Sequence, residues 1–327
     1  MNRRDFSKRG LIAAAAIGTA GIGSYLLYSK KGRTLNNYYR MGHCAPTVMQ
    51  TLVDVSRTDY PGLVLYTGAM SGGIAGPGME CGVLTAPLIY MGYKNKTPAG
   101  LSGKLDLIRR GQTYITRFDE FNGTCICGNI RQGGAPACRR AVGNFYRIYS
   151  GSVEKPDVLT DEVRKSYSLL LSEFESQDFH CAHNVLKSLK GEFRAGDEMH
   201  DASWLLVGGL AMLNRTCGAL AAGVMAVSSL TAKVEKSYFR VAKMNRFFRE
   251  NNNSAMDEQI NNFNRSIRLS EVLGTWFRSE FGSTTCYDIC GANFSLISDA
   301  ESYLSGNFIV RCSDIAKRVA EKVNSMI

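Results

Sequence analysis

Residues 179–189 read FHCAHNVLKSL, and residues 42–52 read GHCAPTVMQTL. Both run His-Cys-Ala, two variable residues, Val, and then an amphipathic stretch that ends in Leu. The two cysteines, Cys44 and Cys181, stand 137 residues apart. The landmarks that follow keep step. Cys81 comes 37 residues after Cys44, and Cys217 comes 36 after Cys181. Their settings match as well, GMECGVLTAPL at 78–88 against NRTCGALAAGV at 214–224. Further on, TRFDEFNGTCICG (116–128) pairs with TWFRSEFGSTTCYDICG (275–291), and each copy ends on one more cysteine, Cys138 or Cys312. All ten cysteines therefore fall into two sets of five. One is Cys44, Cys81, Cys125, Cys127 and Cys138; the other is Cys181, Cys217, Cys286, Cys290 and Cys312. Self-similarity of this kind signals an internal duplication.

Within each copy the pattern is helical. TVMQTLVDVSR, DEVRKSYSLLLSEFES, VEKSYFRVAKMNRFF and CSDIAKRVAEKVNSMI carry apolar residues three and four apart, and clean period-two alternation is absent. Thr160 before Asp161 and Glu162 reads as a helix start. The expected fold is all-α, with two similar helical lobes from the duplication. A first lobe is expected over 35–150 and a second over 151–327, joined around 148–160. The copies differ chiefly by an insertion at 243–266, whose Asn run reads as a loop between two helices.

Residues 1–34 form a separate unit. MNRRDFSKRG is basic, Leu11 to Tyr28 is an apolar run of 18 residues, and SKKGR follows. This is the layout of a targeting segment. Arg3-Arg4 followed by Phe6 and Lys8 resembles a twin-arginine export signal, a route that carries folded cargo. The apolar run has the length to span a bilayer, so retention as an anchor stands beside cleavage. The expected location is the periplasm or the outer face of the cytoplasmic membrane. This segment also holds +6 of the chain's net charge of +10. The remaining +4 over nearly 300 residues does not point to a nucleic-acid partner. Arg139-Arg140 and the stretch Lys236 to Arg249 are expected on solvated faces.

The cysteines carry the chemistry. Pro46 is suited to the first turn of a helix, which places Cys44 at a helix start, and Cys181 takes the corresponding place. Cys81 and Cys217, each followed by Gly, read as helix starts too. Free N–H groups and the helix dipole favour a thiolate there. Three uses of such sulfurs stay open: iron–sulfur ligation, disulfides, and closed zinc sites. His43 and His180 precede the first cysteine of each copy and are candidate ligands or neighbours of such a centre. The glycines of GAMSGGIAGPG (68–78) suit close packing or room around a cofactor. C-x-x-C is absent, as are the haem-attachment pattern C-x-x-C-H, a Walker loop, H-E-x-x-H and G-x-S-x-G. Covalent haem is therefore not expected, and nothing marks a general acid–base pair.

With Cys44, the block GGIAGPGMECGVLTAPLIYMG around Cys81, the later cysteines and their repeats in view, the chain resembles the C-GCAxxG-C-C family of redox-active proteins. Split-Soret-type cytochromes look like relatives, though their haem-attachment motif is missing here. The resemblance implies helical modules with four characteristic cysteines each. Ala86 and Ala222 stand where that pattern has glycine, and the third cysteine of the first copy is either Cys125 or Cys127. The leading expectation is an exported electron-transfer protein whose repeated cysteines bind iron–sulfur clusters, working with a redox partner protein at or near a membrane. A metal-free thiol–disulfide protein is the alternative. A structural partner of a membrane redox complex is the third class.

Overall fold

The computed structural model describes residues 29–326 apart from 77, 97 and 192–194. The expected signal lies almost wholly outside these residues. The first copy supplies α1 (Lys30–Met41), α2 (Cys44–Ser56), the short α3 (Gly62–Leu65), α4 (Gly82–Asn95), α5 (Gly100–Asn122), α6 (Cys127–Gln132) and α7 (Gly134–Glu154). The second supplies α8 (Asp161–Ser176), α9 (Cys181–Lys187), α10 (Asp197–Ser203), α11 (Gly218–Thr231), α12 (Tyr238–Arg249), α13 (Asn264–Phe281), α14 (Cys286–Cys290), α15 (Ile297–Ser305) and α16 (Phe308–Asn324). The two halves are similar and helical, as expected. Among the described residues the β-pairing comes down to two isolated antiparallel bridges, Glu80 with Ile126 and Thr216 with Thr285. No helix among them is long and apolar enough to cross a membrane.

The connection between the halves is 155–160. Thr160 caps α8, its hydroxyl accepting from Val163 N–H at 3.3 Å. Helix α1 starts at Lys30, so it runs across the boundary expected at residue 34, and α7 likewise runs past residue 150. The Asn run does lie between two helices, α12 and α13, with a 3-10 turn at Asn253–Met256. Arg240 departs from the expected solvated stretch. It is buried, and its guanidinium donates to the carbonyls of Ile260, Glu235 and Met41, which pins the insertion to the end of α1.

Helices α4 and α11 are apolar nearly all round and buried along most of their length, the pattern of central core helices. Each packs against its own copy's first cysteine helix, α4 on α2 and α11 on α9. Each also packs against the opposite copy. α4 meets α10 and the Trp204–Leu206 turn, while α11 meets the equivalent Gly68–Met70 turn. One continuous hydrophobic core therefore serves both halves.

Candidate thiol centres

Three of the cysteines in each half sit at helix N-termini. Cys44, Cys127, Cys181 and Cys286 are the first residues of α2, α6, α9 and α14, and Cys81 and Cys217 are the N-caps of α4 and α11. Cys138 and Cys312 are each the fifth residue of their helix, one turn in. In both halves, then, free N–H groups of three helices face sulfur, the arrangement that favours negative charge.

The backbone fixes which cysteines correspond. Cys81 N–H donates to Cys125 O at 2.8 Å, and Cys127 N–H donates to Met79 O at 2.9 Å. In the second half Cys217 N–H donates to Thr284 O at 2.9 Å, and Cys286 N–H donates to Arg215 O at 2.6 Å. Cys127 therefore matches Cys286, and Cys125 matches Thr284. The equivalent quartets are Cys44, Cys81, Cys127, Cys138 and Cys181, Cys217, Cys286, Cys312.

The first quartet lines a cavity of about 460 Å³ together with Tyr38, Arg131 and Asn261. Cys125 does not reach it. Its thiol lies at the seam between the halves, 2.6 Å from Arg215 Nη1, and burial pushes it up to about 11. The second quartet lines a chamber of about 30 Å³ whose walls are apolar, among them Phe174, Phe179, Phe294 and Tyr303. Cys290 joins it there as a fifth thiol. Its match by count in the first half is Arg131, so Cys290 and Cys125 are additions to the quartets at different places.

Glycine makes room for the sulfurs. A Cβ on residue 218 would stand 2.2 Å from Leu206 O and 2.6 Å from Cys181 Sγ, and one on residue 82 would stand 2.5 Å from Met70 O. The glycine pairs upstream have a matching use: the Gly72 amide favours the ionised form of Cys44, and the Gly208 amide that of Cys181.

Thiol contacts set the electrostatics. A hydrogen bond from Cys81 holds Cys44 down to about 6. Cys81 goes the other way, pushed up by its contacts with Cys127 and Cys44 and by burial. Cys290 is likewise lowered, and Cys286 raised, by the hydrogen bond between them. Burial, and after it the neighbouring thiols, raises Cys138 to about 11 and Cys181 to about 12, and the same causes raise Cys217 and Cys312.

The two histidines are placed differently: His43 borders the first cavity beside Asn261, whereas His180 does not line the second chamber. His43 Nε2 is 2.8 Å from Asn261 Oδ1, and its ring meets Phe263 edge-on. His180 Nδ1 accepts from His183 N–H at 3.2 Å, which leaves Nε2–H to donate to Trp204 O at 3.0 Å. Burial holds His43 down to about 4 and pushes His180 low as well. Among the described residues, no group of three or more His, Cys, Asp or Glu side chains is arranged to hold a metal ion.

A helical, internally duplicated protein with one thiol quartet per half is the class this geometry defines. The family model described as "Putative redox-active protein (C_GCAxxG_C_C)" matches twice, over residues 42–151 and 179–326. The chain belongs to that family. No curated protein and no solved structure matches it.

Proposed function

We infer that the chain is an electron-transfer protein in which each quartet holds an iron–sulfur cluster. The observation that carries this reading is the equivalence of the quartets: eight thiols, on matching helix starts and first turns, around two cavities. The donor set fits the group, because such clusters are bound by four cysteine thiolates. Helix N-termini and the Gly72 and Gly208 amides favour negative sulfurs, and Arg131 beside Cys138 and Arg311 beside Cys312 act in the same direction. At the second quartet Gly218 lets Leu206 O and the Cys181 sulfur come close to the start of α11, where a Cβ would clash with both. A cluster is larger than one ion and is bound at its corners, so a single point of convergence is not what it requires. When bound, it would supply one-electron transfer. Cys44, Cys81, Cys127 and Cys138 would hold one, and Cys181, Cys217, Cys286 and Cys312 the other. Chain purified without oxygen should be brown and carry iron and acid-labile sulfide. Colourless chain with neither would overturn the reading.

One observation favours a second reading. The thiols of Cys44 and Cys81, and of Cys286 and Cys290, are in direct hydrogen-bond contact. Each pair could close to a disulfide, giving two electrons and two protons to an external disulfide. Mass spectrometry of the oxidised, metal-free chain decides: a loss of two protons per pair supports it, and unchanged mass opposes it.

Export by the twin-arginine route rests on Arg3-Arg4 with Phe6 and Lys8. Lysine at both arginines should trap the chain in the cytoplasm. Unchanged export would remove this part of the proposal. A redox partner at the membrane face is expected with it.

A further inference from the structure

The two bridges that hold the cysteines meet each other. Glu80 and Thr216 occupy equivalent positions, each immediately before the second cysteine of its half. Across the seam the Glu80 carboxylate accepts twice from Thr216, from its N–H at 3.3 Å and from its hydroxyl. Both residues are buried, Glu80 at 4% and Thr216 at 1% exposure. Two flanking contacts repeat the symmetry. Arg215 Nη1 meets Cys125 Sγ at 2.6 Å, and Thr284 Oγ1 donates to Met79 Sδ at 3.1 Å. Met79 matches Arg215 and Cys125 matches Thr284, so each half reaches into the other in the same way.

A route from one quartet to the other follows. Cys81 is bonded to Glu80, Glu80 is hydrogen-bonded to Thr216, and Thr216 is bonded to Cys217. Burying a carboxylate costs stability unless it is well partnered. The threonine at the matching position shows that the fold does not itself demand an acid there. The glutamate makes a contact that joins the backbones carrying Cys81 and Cys217.

We propose that the Glu80–Thr216 contact is the electronic link between the two thiol centres, so that they act as a pair rather than as separate carriers. An electron lost by one centre is gained by the other. No bond is made or broken, and no proton has to move. Glu80 and Thr216 are positioning residues in this scheme, and it rests on the reading that both quartets hold clusters.

The test uses the full chain prepared without oxygen, with iron and sulfide measured first. In the fully reduced protein, electron paramagnetic resonance should show magnetic interaction between the two centres. After a flash delivers one electron per chain, the two centres should equilibrate quickly. Thr216→Val keeps the shape and removes the hydroxyl donor. It should slow equilibration several-fold with iron content unchanged and a lowered melting temperature, and Thr216→Ser should restore the rate. Glu80→Gln, if it folds, should slow it as well. Two loaded centres that are magnetically independent, or a Thr216→Val chain that equilibrates as fast as wild type, would overturn the link alone. Wild-type chain without iron would overturn the reading beneath it and take the link with it.

Discussion

Cys125 accepts a hydrogen bond from Arg215 across the seam between the halves, at 2.6 Å, while Cys127, two residues on, lines the first cavity. Two neighbouring cysteines thus face different surroundings, and they should respond differently to replacement. Cys127→Ala should remove iron from the first centre. Cys125→Ala should leave the iron of both centres in place, since the matching position in the second half is threonine. Iron and sulfide per chain in the two variants check this.

Gly218→Ala should destabilise the chain by about 1–3 kcal/mol, the usual range for adding a methyl group to a packed interior. The new Cβ would press on Leu206 O and on the Cys181 sulfur. Chemical denaturation of the metal-free variant measures the loss. The same change should weaken iron binding at the second centre more than at the first.

Cys44 should be the first thiol to react with iodoacetamide in the reduced, metal-free chain at neutral pH. It borders the larger cavity, and the Cys81 hydrogen bond keeps it ionised down to about pH 6. Cys138 lines the same cavity but stays protonated to about pH 11. Peptide mapping after brief labelling distinguishes them.

The metal-free chain should lose stability on the alkaline side. Cys125 and Cys138 are raised to about 11 and Cys181 to about 12, against 9.0 for an ordinary thiol. The folded state therefore keeps protons that the unfolded chain releases. That contribution is complete below pH 9 and is lost as pH rises through 9 toward 12. Cys44 acts with the opposite sign: its contribution is complete above pH 9 and is lost as pH falls to about 6. Above pH 9 the Cys44 contribution is already complete and constant while the raised thiols lose theirs, so the urea midpoint should fall as pH rises past 9.

The loaded chain should show two potentials rather than one. Phe174, Phe179, Phe294 and Tyr303 surround the second quartet, whereas Arg131, Asn261 and Asn264 border the first. An apolar wall disfavours added negative charge, so the second centre should have the lower potential. A redox titration of wild type and of Cys44→Ser separates the two.

Much of this molecule is readable in its sequence. The duplication, the helices and the sulfurs at helix starts follow from spacing, from Pro46 and from glycines after cysteine. The choice between Cys125 and Cys127 was readable too, by a different count. Gly123 and Gly282 both end their helices with positive φ, and Cys127 and Cys286 each come four residues later. Pairing the copies by their adjacent cysteines hides that count, because Cys290 is an addition. The surroundings of His43 and His180 were not readable. Asn261 and Trp204 are distant in the chain, and only the packed core brings them to the imidazoles. The Glu80–Thr216 contact was equally hidden, since nothing local marks the meeting of two bridges 136 residues apart.

The insertion of the second copy contributes Phe248, Met256, Asn261 and Asn264 to the wall of the first copy's cavity. The duplicates have thereby ceased to be separable modules. A gene fragment encoding either one alone would leave its thiols without the neighbour that shelters them. Recombination between such paired copies would have to exchange both together.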